Sequence, residues 1–260
     1  MKIKALKSVF ITGFSLFSLS ISGILSPLSV RAEDKSSFSG NLTMGLFSDY
    51  MFRGFQNYDG TSFQPQANVN YDTGAGVFSA GAWAHISAEG NRQSEKLTEI
   101  DYTAAYAFAI EETALKFGHI WYTYPQDRNG VFVDTKEIFA SIAFDDTKLN
   151  KFFSLSPSLT VYHDYDFLSG GQYYELGFSH LFECGVGDKQ RNLTPFVTFG
   201  LASSSEKIYN NNGLVQTTLG ASTSIPWGEL TLTPSISYTA ESDKNTVNEL
   251  WFGTTVGWAS

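Results

Sequence analysis

The chain has 260 residues, with 26 acidic against 17 basic and a formal net charge of −9. So acidic a chain, without a basic aromatic stripe, is a poor candidate for binding nucleic acid. Its 22 Phe, 13 Tyr and 5 Trp are a heavy load for a soluble domain, and a single cysteine, Cys184, excludes an internal disulfide.

Lys2, Lys4 and Lys7 precede an apolar run from Val9 to Leu25, and Val30-Arg31-Ala32 offers the small residues that a signal peptidase reads. Residues 1–32 are therefore expected to be a secretory signal peptide and 33–260 the exported domain. Removing Lys2, Lys4, Lys7 and Arg31 leaves 13 of the 17 basic residues, so the exported part is more acidic still. No later stretch approaches the ~20 apolar residues of a spanning helix. Such a chain stays soluble after export or enters the outer membrane as strands.

The exported part alternates, and a strand puts successive side chains on opposite faces. Its first segment, Phe38 to Phe52, sets Phe38, Leu42, Met44, Leu46, Tyr50 and Phe52 on one parity, with Asp49 and Arg53 on the other. The second, Phe63 to Tyr71, opposes Phe63, Pro65, Ala67, Val69 and Tyr71 to Gln64, Gln66, Asn68 and Asn70. After the turn Asp72-Thr73-Gly74-Ala75-Gly76, the third opposes Phe78, Ala80, Ala82, Ala84 and Ile86 to Ser79, Gly81, Trp83 and His85. The fourth sends Ile100, Tyr102, Ala104, Tyr106 and Phe108 outward, and Glu99, Asp101 and Thr103 inward. The fifth, Leu115 to Tyr124, has two competing phases, because Leu115 and Phe117 oppose Ile120 and Tyr122. The sixth turns Ile138, Ala140, Ile142 and Phe144 out, and Glu137 and Ser141 in.

The second half repeats the pattern. Leu155, Pro157, Leu159 and Val161 form the outward face of a seventh strand, and Tyr174, Leu176 and Phe178 that of an eighth, with Tyr173 and Glu175 inward. Leu193, Pro195, Val197, Phe199 and Leu201 mark the ninth; Val215, Thr217, Leu219 and Ala221 the tenth. The eleventh has Leu230, Leu232, Pro234, Ile236 and Tyr238 against Thr231, Thr233, Ser235 and Ser237. The twelfth has Leu250, Phe252, Thr254, Val256 and Trp258 against Glu249, Trp251 and Gly253. The expected fold is all-β: a transmembrane antiparallel up-and-down β-barrel of twelve strands, its apolar parity toward lipid and its polar parity toward a lumen.

Connection lengths agree with that architecture. Asp72 to Gly76, Glu111 to Ala114 and Pro226 to Glu229 are short, as periplasmic turns are; Glu89 to Lys96, Pro125 to Asp134 and Ser203 to Gly213 are longer and polar. Asp145 to Phe153 and Glu183 to Arg191 are longer than the rule wants, and Cys184 reads as a turn residue within the latter. Aromatics gather at the expected rims: Phe38, Tyr71, Phe78, Phe108, Phe144 and Trp258 toward the periplasm, and Tyr50, Phe52, Phe63 and Tyr238 toward the outside. Trp258 near the end of the last strand is the residue that barrel-assembly machinery would read. A soluble sandwich with Greek-key links is the competing architecture. Mid-strand prolines burden both alike, whereas even strand number, loop alternation and aromatic rims favour the barrel.

The run Ser48-Asp49-Tyr50-Met51-Phe52-Arg53-Gly54 resembles the signature opening of the TorF-type porin family of bacterial outer-membrane barrels. Further matching blocks follow in order: Gly76 to Trp83, Glu99 to Tyr102, Tyr122 to Pro125, Lys136 to Ala140 and Tyr173 to Leu176. One position departs, since the family places Ser-Gln two residues after the glycine of the first block and this chain has Gln56-Asn57. The resemblance implies a barrel and a pore, with no defined substrate.

Candidate lumen or constriction residues are Asp49, Arg53, Gln64, Gln66, Asn68, Asn70, Trp83, His85, Glu99, Asp101, Glu137, Tyr173, Glu175, Glu249 and Trp251. Asp49 and Arg53 share a parity and are expected to pair near the outer end, either shaping a constriction or holding the first loop. Arg53 is the one clear inward base, so unbalanced carboxylates give an acidic lumen that prefers cations or neutral solutes over anions; ordinary solvation in a wet interior is their bland alternative. Trp83, Tyr173 and Trp251 offer a stacking track for ring solutes or simply plug the barrel. His85, His119, His163 and His180 lack the spacing of a metal site, and no cofactor is expected. The expected function is a porin passing small neutral or cationic solutes through a narrow acidic lumen, with outer-membrane lipid and assembly machinery as partners and a homo-oligomer allowed. A non-conducting structural or interaction barrel is the alternative. A hydrolase ranks last, because no spacing singles out a nucleophile.

Overall fold

The alternation becomes strands in the computed structural model, which describes residues 37–89, 96–125, 133–149, 154–186, 189–204 and 207–260. The expected signal peptide lies outside the described residues. The strands are β1 (Ser37–Phe52), β2 (Phe55–Asp72), β3 (Val77–Ser87), β4 (Leu97–Ile110), β5 (Thr113–Thr123) and β6 (Thr135–Phe144). They continue as β7 (Ser158–Asp164), β8 (Gln172–Ser179, resumed at Phe182–Val186), β9 (Lys189–Ser203), β10 (Gly213–Trp227), β11 (Leu230–Glu241) and β12 (Glu249–Ala259). Both stretches of β8 pair with β9 in one register, Ser179 opposite Phe196 and Phe182 opposite Leu193, so they are one barrel strand. Every strand runs antiparallel to the next, and β12 closes onto β1 through Leu42 opposite Trp258 and Leu46 opposite Thr254. The fold is a closed antiparallel β-barrel of twelve strands. Closure leaves no sheet edge, so each strand's backbone groups find partners on both sides.

No helix among the described residues is long and apolar enough to cross a membrane, which says nothing about crossing by strands. The outward parity is apolar and exposed along most strands: Leu42, Met44 and Leu46 on β1, Ile138 and Ile142 on β6, Leu219 on β10, Ile236 on β11, and Leu250 and Phe252 on β12. An outward aromatic cluster runs across β1 to β5 at the short-turn end. Phe38 meets Tyr71 at 4.8 Å between ring centroids, Phe78 meets Tyr106 at 4.5 Å, and Tyr106 reaches Phe108 and Phe117.

The chain departs from simple alternation where the ladder is irregular. β2 begins at Phe55, not Phe63, so the first connection is a two-residue turn, Arg53-Gly54, with φ of 48° and 90°. Gly54 is required there twice over, since a side chain would be strained at that φ and would meet Thr246 and Gln216 within 3.0 Å. Two register shifts between β1 and β2, at Phe47/Asp49 and Tyr50/Met51, change the phase. Tyr50 and Phe52, expected outward, therefore turn in: Tyr50 is buried and Phe52 packs on the interior cluster. A further shift at Gly200/Leu201, between β9 and β10, turns Val215 inward, where it is fully buried.

In β5 the competition resolves with Phe117 and Trp121 outward and Ile120 and Tyr122 inward. That phase also turns Lys116 in, which corrects the expectation that Arg53 is the one clear inward base. β7 begins at Ser158, leaving Leu155 and Pro157 in the preceding connection. Cys184 is not in a turn. It sits in the second stretch of β8 opposite Arg191, exposed, and the excess of loop expected there is consumed by pairing. Residues 187–188 of that expected connection lie outside the described residues, as do 90–95, 126–132, 150–153 and 205–206 of the others.

Candidate functional site

Inward side chains on one wall of the barrel become buried in a graded way toward the long-loop end. Along β11, Thr231 is exposed, Thr233 and Ser235 are half-buried, and Ser237 and Thr239 are buried. Along β10, Ser224 is exposed, Gly220 and Ser222 are half-buried, and Thr218 and Gln216 are buried. Gln64, Gln66 and Asn70 of β2 line the more open half, with Asn68 buried between them. Thr and Ser hydroxyls and amides give this wall a polar, uncharged character. On this wall the bore is thus more open toward the short turns, while across it Ala107, Ala114, Lys116, Ala143 and Ser179 are buried near that same end.

The filling is built around Arg53. Its turn points the side chain back into the barrel, where Nη1 and Nη2 donate to the two carboxylate oxygens of Glu137 on β6, both at 2.7 Å. Tyr122 donates its hydroxyl to Glu137 Oε2 at 2.7 Å. The guanidinium carbon lies 4.3 Å from the Tyr162 ring centroid, 4.6 Å from that of Tyr173 and 4.8 Å from that of Phe52. A flat cation paired in a fork with a carboxylate and faced by rings is the arrangement to which guanidinium is suited. Asp49 does not take part. The expected Asp49–Arg53 pair is replaced by Arg53–Glu137, and Asp49 accepts instead from Ser48 and from Gln56 Nε2 at 2.8 Å.

Two outer connections hold the seat from above. Tyr209, in the connection after β9, donates its hydroxyl to the Arg53 carbonyl at 3.0 Å and its ring stacks near Tyr173. Asp243, in the connection after β11, accepts from the backbone N–H of Asn210, Asn211 and Asn245. Burial opposes its charge, yet these N–H groups outweigh burial and hold its carboxyl below the ordinary range. Val247 N–H donates to the Gly54 carbonyl at 3.0 Å, tying the same connection to the Arg53 turn.

Beside the seat stands a second polar group. Tyr50 donates to Glu99 Oε2 at 2.9 Å and stacks on His85 at 4.6 Å, with Trp83 at 5.4 Å. His85 Nδ1 is 2.5 Å from Thr98 Oγ1. Asp101 is 1% exposed and neither of its oxygens has a hydrogen-bond partner among the described residues, while the charges of Glu99, Glu137 and Arg53 act on it. Trp251 is buried and donates its N–H to Thr239 at 3.2 Å. Tyr173 and Glu175 of β8 are buried inward, and Glu249 at the start of β12 is half-buried. Nearer the short turns, Lys116 is buried with its ammonium 5.5 Å from the Phe139 ring.

All the candidates but Asp49, Glu175, Glu249 and Trp251, placed above, fall into three groups. Arg53, Glu137 and Tyr173 meet in the seat; Trp83, His85, Glu99 and Asp101 stand beside it; the β2 amides line the open half. Lys116, Tyr209 and Asp243 were not foreseen, while Tyr162, on the inward parity of the seventh strand, and Tyr122, on one of two competing phases, stood outside the candidate set. The parity of Leu115 and Phe117 would have found Lys116 and Tyr122 once chosen, but Tyr209 and Asp243 lie in connections, where no period exists. Among the described residues no group of His, Cys, Asp and Glu has the geometry of a metal site.

The family model Gcw_chp, described as a bacterial protein of unknown function, matches residues 31–196. No curated protein matches the chain. Among solved structures it is similar to the β domain of the Bordetella autotransporter BrkA, at 12% identity and a TM-score of 0.38, covering 86% of this chain and 99% of that one. It is also similar to OmpF of Salmonella typhi in complex with daunomycin, at 6% identity and 0.39, covering 87% and 98%. A triple mutant of the Rhodopseudomonas blastica porin gives 10% identity and 0.37, covering 87% and 100%. Scores this low bear on neither activity nor solute.

Proposed function

We propose that this chain, which belongs to the Gcw_chp family of bacterial proteins, is a narrow outer-membrane channel for small cationic or neutral solutes, closed at its outer end in the resting state. The observation that carries the reading is the contrast between the two faces of one closed sheet. Outward positions such as Ile236, Leu219 and Phe252 are apolar and exposed, while their neighbours Ser235, Thr218 and Trp251 face the interior, lined on this wall by hydroxyls and amides. An apolar exposed belt of this extent would be an aggregation liability in water and is what hydrocarbon solvates. The resemblance of Ser48 to Gly54 and the later blocks to TorF-type porins supports the same reading, and so does the leader expected at residues 1–32.

Cation preference rests on charge. Asp49, Glu99, Asp101, Glu137, Asp164 and Glu175 are buried on the inward side, against Arg53 and Lys116. Carboxylates in excess within low-dielectric walls focus a negative potential and concentrate cations. In planar bilayers under a salt gradient, the reversal potential should carry the sign of cation selectivity and fade as ionic strength shortens the Debye length. The double variant Glu99→Gln/Asp101→Asn should move it toward zero. An anion-selective current would contradict the charge reading outright.

The alternative is a non-conducting structural or interaction barrel. It is favoured by one observation: Ile120, Tyr122, Phe139, Tyr162, Tyr173, Tyr209 and Val215 form a buried cluster inside the barrel, as in small barrels whose interior is filled by side chains. Twelve strands fall between filled eight-stranded barrels and the wide sixteen-stranded ones, so the seat decides whether solute passes.

A further inference from the structure

We propose that the surroundings of Arg53 are a recognition site for guanidinium-bearing solutes, which the protein's own arginine occupies at rest. The proposal rests on the channel reading for the route by which a solute arrives, and on the geometry of the seat for what it recognises. Three features define the chemistry. Glu137 presents both carboxylate oxygens at 2.7 Å to two N–H groups of one planar cation, a fork that a point-like ammonium cannot match. The rings of Tyr162, Tyr173 and Phe52 face the same cation at 4.3, 4.6 and 4.8 Å, a cage for a delocalised, weakly hydrated charge. Tyr122, bonded to Glu137, fixes the orientation of the acceptor.

Nothing in the cage is contributed by the arginine's own strand except Phe52. Glu137, Tyr122, Tyr162 and Tyr173 come from β6, β5, β7 and β8, so the cage persists in the wall when the Arg53 side chain leaves it. Arg53 is delivered by a two-residue turn whose φ of 48° is unusual for a residue other than glycine. From outside, the turn is held by the Tyr209 hydroxyl on the Arg53 carbonyl and by Val247 N–H on the Gly54 carbonyl, both at 3.0 Å. A cavity of about 340 Å³ stands directly outside, at the long-loop end, and is lined by Phe52, Arg53, Tyr122, Glu137, Tyr173 and Tyr209 among others. That volume lies at the lower end of the range for small-molecule sites. A solute in the cavity is in reach of the cage, since Glu137, Tyr122, Tyr173 and Phe52 line it. Exchange of the tethered guanidinium for a free one would then couple solute capture to release of the Arg53 turn from the buried cluster that fills this part of the bore.

The test uses Arg53→Ala, which empties the cage, refolded in detergent micelles. Methylguanidinium chloride at millimolar concentration should raise its melting temperature, while equal methylammonium or sodium chloride should not. The wild type, whose tethered guanidinium must first be displaced, should respond to methylguanidinium alone and only at higher concentration; a wild type indifferent to it at every concentration overturns the exchange. Adding Glu137→Gln to the variant should weaken the apparent affinity about tenfold or more, as loss of charged hydrogen bonds predicts. Should Arg53→Ala fail to refold alone, refolding yield in each salt becomes the readout: recovery with methylguanidinium alone supports the cage, and equal yields overturn it. Identical melting of Arg53→Ala in all three salts overturns it as well. None of these readouts needs a current, so a guanidinium-specific response in a barrel that never conducts would remove the channel reading and leave the site.

Discussion

Glu137→Ala is expected to cost the barrel about 3–5 kcal/mol, the penalty for leaving one charge of a buried pair without its partner. Arg53 is buried, and with Glu137 gone its remaining polar contact among those described is Tyr122 at 3.5 Å, together with three ring faces. Rings attract a desolvated cation by about 2 kcal/mol at best, which falls short of the loss. Glu137→Gln should cost less, because its amide oxygen still accepts one of the two N–H groups. Urea unfolding in micelles measures both. A loss under about 1 kcal/mol for Glu137→Ala would place the pair in the class of solvated surface bridges, and the outer half of the bore would then have to be wet.

The second large effect separates the two faces of β11. Ile236 is outward and 51% exposed, midway along its strand, opposite Ala221 and Phe252. Arginine there should cost about 2–4 kcal/mol in a bilayer, since the charge meets hydrocarbon near the midplane. Ser235, its neighbour, faces the bore, where an arginine finds polar groups and the carboxylate excess; Ser235→Arg should be tolerated. Heat-modifiable gel mobility of the two variants after assembly reads the difference. Equal effects at both positions would mean that the outward face does not contact lipid.

These expectations depend on phase, and phase was legible where one face of a strand is exposed and apolar while the other is polar. β2, β3, β4, β6 and β11 alternate cleanly for that reason, because a slip by one residue would turn the whole apolar set the wrong way. The reading failed where the inside is also apolar. β5 carries Leu115 and Phe117 on one parity and Ile120 and Tyr122 on the other, since the barrel packs rings within as well as without. Lys116 went unassigned with it. Bulges are the second cause: Tyr50, Phe52 and Val215 follow register shifts that composition does not announce. The third is distance. Arg53 and Glu137 are 84 positions apart and meet across the bore, a pairing set by how the strands stagger on closure. Asp49, four positions from Arg53, was the nearer guess and the wrong one.

The most direct measurement of the central claim, a narrow channel closed at its outer end by the Arg53 seat, is the single-channel conductance of wild type and Arg53→Ala in planar bilayers. Each preparation should first be shown folded by heat-modifiable mobility. Small or infrequent steps are expected for the wild type, with more frequent and larger cation-selective steps once the side chain is removed. Bilayers that stay silent with both proteins, each correctly folded and inserted, would contradict it and leave a structural barrel.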